Sequence, residues 1–466
     1  MGRTQSVTWE LRAAFARRLA AMYGREVPAY ETLVEVTREI NAEVVGRDRD
    51  GAQRLGSVER VSAERHGAIR VGTPRELAEA ARVFAAFGMH PVGFYDLRDA
   101  GPGAVPVVSA AFRPIEGAEL ARNPFRVFTS MLVVDDPRYF DDDTRSRLRA
   151  FLDERVLFAP ELLDLAGRPP SAADATDELL RRATAAFALS SIPVDRAWYD
   201  HLDAISSVAA DIGGVPTTHL NHLTPRVLDI DALQARMRAR GVEMIDEIQG
   251  PPAWEGPDVL LRQTSFRALA EERVFRYPDG SVRTGALRVR FGEVEQRGIA
   301  LTPRGRTLYD RMVAEADAQG GGADGAREVW RRHLPATERA LAEHGLAFFT
   351  YRVAGPAQAS AASVSALVDA GAIVPEPIVY EDFLPRSAAG IFRSNLAGEG
   401  TRDEGRTAPE YDLARLVGVL GATVHDPMDL YAAQQDTSLR AAAQELGVRI
   451  VPGRPDEHDL SRSLTS

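Results

Sequence analysis

The order of strand-like and helix-like segments constrains the fold more than any other feature of this sequence. Prolines punctuate four short apolar runs typical of strands, at residues 67–71, 92–97, 105–112 and 125–134. Helical stretches interrupt these runs without the regular strand–helix alternation of a parallel α/β sheet. The sequence therefore predicts an α+β fold, in which helices wrap around a central mixed or antiparallel sheet.

Two helices are predicted by their local patterns. Over residues 9–23, apolar side chains recur at helical spacing, which predicts an amphipathic helix packed against the body of the protein. Thr73 is a typical N-cap residue, with Pro74 in the first turn and Glu76 placed to complete a capping box. Gly88 is typical of the end of that second helix.

Composition excludes several classes of chemistry. The 466 residues include no cysteine, which excludes disulfides, thiolate metal sites and cysteine nucleophiles. All 56 basic residues are arginine, which excludes a lysine Schiff base and the phosphate-binding lysine of a Walker motif. The net charge of −11 argues against nucleic-acid and anionic-membrane partners. We see no membrane-spanning segment or secretory leader, and we predict a cytoplasmic protein.

Carboxylates appear on an apolar strand face near residue 293. If residues 287–297 form one strand, Leu287, Val289, Phe291, Glu293 and Glu295 point to the same side. A carboxylate on a buried face is costly unless it is paired or binds a metal. The alternatives are an ion pair with a nearby arginine, or a strand that emerges into solvent.

Histidines occur in two further strand-like stretches. His219 and His222 are three residues apart, so in a strand they face opposite sides and do not bind one metal together. His66 and Arg70 share a strand face about 13 Å apart, and they could bracket a small acid. The alternative for each histidine is an ordinary hydrogen-bonded residue of the core or of a strand end. Two separate histidines and one carboxylate would form the facial triad of a non-haem Fe(II) oxygenase.

At these stretches the sequence resembles the 2-oxoadipate dioxygenase/decarboxylase family. The matching motifs are long and occur in the order of the family. They lie at residues 65–73 (RHGAIRVGT), 91–97 (PVGFYDL), 124–130 (PFRVFTS), 221–231 (NHLTPRVLDID), 260–266 (LLRQTSF), 291–298 (FGEVEQRG) and 379–395 (VYEDFLPRSAAGIFRSN).

The resemblance implies a fold, a metal and a reaction. The fold would be a variant of the vicinal oxygen chelate sheet, with Fe(II) bound by His66, His222 and Glu293. Arg70 matches the family's substrate-binding arginine, and Arg386 and Ser387 lie in a motif that contacts substrate. The family reaction consumes a 2-oxo acid and O2, releases CO2 and hydroxylates the shortened acid. For 2-oxoadipate the product is 2-hydroxyglutarate.

Three positions depart from the family pattern and suggest an alternative substrate. Val108 and Ala110 replace a histidine and a threonine, and Arg386 replaces a small apolar residue. If all three line the pocket, the enzyme could be an iron-dependent oxygenase of a different amino-acid-like or biosynthetic acid. Arg386 could instead point outward or pair with Glu381 or Asp382. A non-enzymatic binding protein is a third hypothesis, and the intact triad argues against it.

The sequence predicts four segments. They are an N-terminal helical segment at 1–60, a metal-binding sheet core at 61–300 with a helical insertion at about 144–206, a helical segment at 301–396 that returns to the core pocket, and a C-terminal segment at 397–466 with a disordered tail.

Overall fold

The computed structural model describes seven stretches of the chain, and their contacts define two compact units. The described stretches are residues 4–99, 104–168, 173–288, 290–357, 360–395, 402–403 and 405–451. The first unit comprises Met1–Pro251, Leu261–Arg297 and Glu381–Pro427, and the second comprises Pro252–Leu260, Gly298–Tyr380 and Met428–Ser466. The four segments predicted from the sequence stay a prediction, and the predicted disordered tail lies outside the described residues.

Helices make up nearly half of the described chain. In the first unit they are α1 (Thr4–Glu26), α2 (Ala29–Arg47), α3 (Arg49–Gln53), α4 (Val58–Ala63), α5 (Pro74–Ala85), α6 (Gly117–Arg122), α7 (Asp142–Glu154), α8 (Pro160–Ala166), α9 (Ala173–Ala186), α10 (Arg196–Asp203), α11 (Ser207–Gly213), α12 (Ile230–Ala239), α17 (Pro385–Asn395) and α18 (Leu413–Leu420). In the second unit they are α13 (Pro303–Gln319), α14 (Gly322–His333), α15 (Glu338–Glu343), α16 (Val364–Asp369) and α19 (Pro427–Leu446), whose first residue belongs to the first unit. No helix among the described residues is both long enough and apolar enough to cross a bilayer.

The strands form one large sheet and several small ones. The first unit contains β1 (Arg65–Val71), β2 (His90–Asp96), β3 (Val107–Arg113), β4 (Arg126–Leu132), β5 (Val194–Asp195), β6 (His222–Pro225), β7 (Leu261–Ser265), β8 (Glu271–Arg276), β9 (Val282–Leu287) and β10 (Glu293–Arg297). The second unit contains β11 (Phe349–Val353), β12 (Ala361–Ala362), β13 (Ile373–Pro377) and β14 (Arg449–Ile450), paired as β11–β13 and β12–β14.

The central sheet of the first unit is mixed. Its strand order is β2-β3-β4-β1-β6, with β1 parallel to β4 and the other neighbours antiparallel. Strand β1, helix α5 and strands β2 to β4 follow one another in the chain and place the first strand beside the fourth. This is the order expected of a vicinal oxygen chelate unit, and it confirms the predicted α+β class with a mixed sheet.

Both helices predicted from local patterns are confirmed. The first extends over Thr4–Glu26, and its buried Phe15 stacks on Phe87 with ring centroids 4.1 Å apart. The second begins after Thr73, whose side chain accepts from the Glu76 backbone in a complete capping box. Helix α5 packs its apolar side on one face of the central sheet.

The two faces of the central sheet differ in polarity, and this corrects one prediction. Ala110 and Ile69 both lie beside Thr129, so they share a face, and Val108 lies on it two residues away. All but Thr129 belong to the apolar core that also contains the residues of α5. The prediction that Val108 and Ala110 line the pocket is therefore wrong, because side chains alternate along a strand and His66 points to the opposite face.

The predicted strand over 287–297 is also wrong as a continuous element. Strand β9 ends at Leu287 and pairs with β8, whereas β10 begins at Glu293 and pairs with β7. Gly292 lies between them, and a Cβ atom there would come within 1.9 Å of the Phe266 ring. The chain thus passes from one small sheet to another at this point, and only the carboxylate-bearing half enters the site.

The second unit has its own small apolar core. Leu367 of α16, Ile373 of β13 and Ala442 of α19 are buried together in it. The β11–β13 pair is antiparallel, with Tyr351 opposite Pro375. None of the residues predicted to bind metal or substrate lies in this unit.

Candidate metal centre

Three side chains from separate strands converge in the first unit. His66 lies on β1, His222 begins β6 and Glu293 begins β10. One ligand atom from each side chain lies within 4.8 Å of the others. The His66 Nε2 atom is 3.2 Å from Glu293 Oε1, and the His222 Nε2 atom is 3.6 Å from Glu293 Oε2. Both imidazoles thus direct the same ring atom at one carboxylate.

Strand register explains how residues so far apart in sequence meet. On β1 and β6, His66 lies opposite Thr224, and His222 lies two residues from Thr224 on the same face. Such diagonal neighbours are within reach of long side chains. A bridge between Arg226 and Glu295 then brings β10 alongside the end of β6. As predicted, His219 is not part of this cluster.

A second carboxylate orients His66 from behind. The His66 Nδ1 atom lies 2.9 Å from Glu295 Oε2. Arg297 donates to both oxygens of Glu295, at 2.7 and 2.8 Å, and Arg126 donates to one of them at 3.3 Å. A carboxylate on the far ring nitrogen is the usual support of a metal-binding histidine, because it fixes the ring and directs the other nitrogen outward.

The environment favours the metal-binding protonation states of His222 and Glu293, whereas His66 is affected in the opposite direction. Burial lowers the pKa of His222 to about 4, so this imidazole is neutral at pH 7. Burial raises the pKa of Glu293, but His222 and His66 outweigh it and lower that pKa below its usual value. Burial lowers the pKa of His66, yet Glu295 and Glu293 outweigh it and raise that pKa. A metal ligand must be a neutral imidazole, so metal binding at His66 competes with its protonation.

Aromatic rings close one side of the cluster. The Phe383 ring packs edge-on against His66 with centroids 5.0 Å apart, and Phe291 lies 5.2 Å from His222. Phe128 of the central sheet contacts Phe383 at 4.9 Å. The Nδ1 atom of His222 is buried and has no hydrogen-bond partner among the described residues. The three phenylalanine rings therefore shield this side of the cluster from bulk water.

Beneath the histidines lies a buried network of arginines and carboxylates. Glu64 accepts from Arg126 at 2.7 Å and from Arg226 at 2.8 Å. Glu381 accepts from Arg126 and from Arg60. The other carboxylate of that segment, Asp382, forms a two-point pair with Arg113 at 2.8 and 2.9 Å. Each charge is compensated, as burial requires.

Sequence reasoning assigned no role to this network, although its members lie in or next to recognised motifs. The sequence leaves Glu295 open between a place beside the metal ligands or the pocket and a purely structural role. In the structure Glu295 forms an ion pair with Arg297 and lies behind His66, whereas Glu293 meets two imidazoles. The useful signal is a charged residue at every second position of one strand, seen in Glu293, Glu295 and Arg297.

Arg70 lies on the same strand face as His66 and belongs to a second buried cluster. Its Nη1 atom donates to Asp211 Oδ2. Asp211 also accepts from Asn221 at 2.8 Å and lies 3.3 Å from His219 Nε2. Burial raises the pKa of Asp211, but His219 and Arg70 outweigh it and lower that pKa. Asp211 lies on α11, and no pattern in that helix marked it as a partner of Arg70.

Two serines lie next to Arg70 on the same face of the central sheet. Ser130 lies beside Arg70 on β4, and Ser109 lies beside Ser130 on β3. Their hydroxyl oxygens are 2.8 Å apart and both side chains are buried. These residues occupy the face that was assigned to Val108 and Ala110, one position away in sequence.

Arg386 and Ser387 begin α17 and are not part of the triad. Ser387 is buried, but the Arg386 side chain is exposed. Arg386 therefore does not share the buried environment of His66, His222 and Glu293. A substrate contact for either residue stays a prediction.

The donor set suits a divalent transition metal. Two imidazoles and one carboxylate, all buried, form a two-histidine, one-carboxylate arrangement. Such a set occupies three coordination positions and leaves others for substrate and O2. Arg70 on the same face offers a fixed cation to an acid bound there.

Comparisons with known proteins identify the family of the chain. A sequence profile of the 2-oxoadipate dioxygenase/decarboxylase family matches residues 15–395. A Mycobacterium bovis protein of that name is 54% identical over 430 residues, 91% of this chain and 96% of that protein. A Pseudomonas putida protein of the same name is 39% identical over 465 residues, 94% of this chain and 97% of that protein. The solved structure of Pseudomonas putida hydroxyglutarate synthase with 2-oxoadipate has a TM-score of 0.80 and 37% identity, and covers 95% of this chain and 99% of that chain.

Proposed function

The chain belongs to the 2-oxoadipate dioxygenase/decarboxylase family, and on that premise we propose that it is an Fe(II)-dependent dioxygenase of a 2-oxo acid. The reaction would join the acid to one O2, release CO2 and leave a 2-hydroxy acid that is one carbon shorter. One oxygen atom enters the new carboxylate and the other the hydroxyl group, so the atoms balance without a further reductant. The substrate would be 2-oxoadipate or a close relative.

The convergence of His66, His222 and Glu293 carries this proposal. Three strands that are distant in sequence bring three donors within 4.8 Å, and all three are buried. A purely structural cluster would need no second carboxylate behind His66. The presence of Glu295 at 2.9 Å, itself held by Arg297, supports a histidine prepared as a ligand.

Each residue has a distinct role in the proposal. Glu293 and the two imidazoles would hold Fe(II), which supplies the activation of O2 when bound. Glu295 orients His66 and holds the proton of its Nδ1 atom. The rings of Phe383 and Phe291 keep water from one side of the reacting acid.

Arg70 would bind the carboxylate remote from the metal. It lies four positions along the strand from His66, a span of about 13 Å that the two side chains shorten from both ends. A diacid fits this arrangement, since one end can reach the triad while the other pairs with the guanidinium. Asp211 holds Arg70 in place from the α11 side, and it is a positioning residue in this account.

The grounds for a different substrate are weakened by the structure. Val108 and Ala110 lie in the apolar core on the opposite face of the sheet, so their departure from the family pattern does not alter the polarity of the pocket. Arg386 is exposed. The buried residues beside Arg70 on its face of the sheet are Ser130 and Ser109.

The proposal is tested with anaerobically Fe(II)-loaded protein and a panel of 2-oxo acids. We expect 2-oxoadipate to be consumed with equal amounts of O2 and CO2, and to yield a five-carbon 2-hydroxy diacid in mass spectrometry. The Glu293→Gln variant is the matched control and should consume neither. If no acid in the panel is consumed with CO2 release, the shared reaction is wrong for this chain. The cytoplasmic location predicted from the sequence stays a prediction.

A further inference from the structure

The first unit contains a cavity that none of the triad residues lines. It has a volume of about 770 Å³, within the range of small-molecule sites. Helices α1, α2, α4 and α6 and the start of β1 contribute its walls. Its charged lining residues are Arg17, Arg38, Glu59, Arg60, Arg65 and Arg122. Five guanidinium groups and one carboxylate give this cavity a formal charge of +4 in a chain whose net charge is −11.

Four of the five arginines that line this cavity have no carboxylate partner. Among the described residues, no carboxylate forms an ion pair with Arg17, Arg38, Arg65 or Arg122. Arg60 differs, because it pairs with Glu381. Arg17, Arg38 and Arg122 are exposed, so water solvates them and their guanidinium groups are available to a ligand. Like charges gathered at one cavity create a positive potential that attracts anions.

The cavity also has an aromatic wall and is lined by small residues. The Arg122 guanidinium lies 5.2 Å from the centroid of the Trp9 ring. The indole nitrogen of Trp9 is buried without a hydrogen-bond partner among the described residues. Small residues also line the cavity, namely Ala13, Ala16, Ala20, Ala63 and Ala121. An occupant with a flat ring and an acceptor would fit this wall.

We propose that this cavity binds a nucleoside polyphosphate or a closely similar anion. Its phosphate groups would pair with Arg17, Arg38 and Arg65, because the planar fork of arginine matches phosphate oxygens in two-point contacts. Its ring would pack against Trp9 and accept from the indole nitrogen. An inorganic anion would use the arginines only, whereas an uncharged nucleoside would use only the ring.

Calorimetric titration of the full chain with ADP, pyrophosphate and adenosine tests this site. We expect saturable ADP binding, pyrophosphate binding at least about tenfold weaker, and no measurable binding of adenosine. The Arg17→Ala/Arg38→Ala variant should weaken ADP binding by at least about tenfold. Arg60 is left unchanged because it also pairs with Glu381.

Two further variants keep the test decisive. Arg304→Ala/Arg311→Ala removes two exposed arginines of α13 that do not line the cavity, and it should leave ADP binding unchanged. Trp9→Leu should reduce ADP affinity towards that of pyrophosphate and leave pyrophosphate binding unchanged. The proposal is overturned if ADP does not bind saturably, if the α13 variant loses as much affinity as the cavity variant, or if adenosine binds as tightly as ADP.

Discussion

The two faces of the central sheet use the same strands for opposite purposes. On one face, Val108, Ala110 and Ile69 pack against α5 in a continuous apolar core. On the other face, His66, Arg70 and their partners bury charges and imidazoles side by side. The apolar face gives the strands a fixed position, and the polar face uses that rigidity to hold ligand atoms at short distances. Stability and chemistry are thus separated by the alternation of side chains along a strand.

Removing the triad carboxylate should abolish activity and leave the apolar face intact. In Glu293→Gln the two imidazoles lose their shared anionic partner, so Fe(II) affinity and turnover should each fall at least about 100-fold. Metal content measured after dialysis and O2 consumption check this result. The far-ultraviolet circular dichroism spectrum should match the wild type, and substantial remaining iron and activity would count against the triad.

Weakening the support of His66 should reduce Fe(II) affinity by less than the loss of the Glu293 carboxylate does. Glu295→Gln keeps the shape of the side chain but removes the charge behind His66 Nδ1. We expect a loss of about 10- to 100-fold in Fe(II) affinity, the usual effect of removing such a partner. Turnover at saturating iron should recover in large part, which separates orientation of the ligand from the reaction itself. An affinity equal to the wild type would show that Glu295 is only an ion-pair partner of Arg297.

Changing the acid-binding end should affect substrate rather than metal. Arg70→Ala removes charge-assisted hydrogen bonds, so kcat/KM for 2-oxoadipate should fall by about 10- to 150-fold while iron content is unchanged. Because the buried Asp211 would lose its arginine partner, Arg70→Ala/Asp211→Asn serves as the matched control for folding. The double variant should have higher thermal stability than the single variant but no higher activity. Lost iron in both variants would contradict the separation of the two clusters.

Trimming the apolar face should reduce stability and leave the reaction unchanged. Val108→Ala removes two buried methyl groups, and we expect the free energy of unfolding to fall by about 2 kcal/mol. Denaturant titration measures that loss, and kcat and KM for 2-oxoadipate should stay at wild-type values. A marked change in KM in the fully folded variant would indicate that Val108 lines the pocket.

Lowering the pH should reduce the stability that the polar face contributes, and this is the smallest of the expected effects. The pKa of Asp211 is lower in the folded chain than its usual value of about 3.9. Its ionised form therefore stabilises the fold above pH 4, and that contribution declines as the pH falls through the lower folded pKa. Unfolding free energies between pH 5 and 3 should fall less steeply in Asp211→Asn than in the wild type, and parallel curves would contradict this assignment.

Local patterns predicted both N-terminal helices, the resemblance to the family implied the triad, and tertiary contacts decided the rest. The capping box at Thr73 and the strand spacing of His66 and Arg70 are properties of a few neighbouring residues, so the sequence contains them directly. The faces of Val108 and Ser109 depend on the register of β3 against β4, which local pattern does not define. The partners of Arg126 and Arg70 come from distant segments, and an isolated arginine in sequence gives no sign of which carboxylate it meets.

The central claim is that His66, His222 and Glu293 together hold one Fe(II) ion. Anomalous diffraction at the iron edge, from crystals grown and loaded without oxygen, tests it most directly. We predict a single strong peak within coordination distance of both Nε2 atoms and a Glu293 oxygen. A peak at other residues, or no peak at this cluster in fully loaded crystals, would contradict the account.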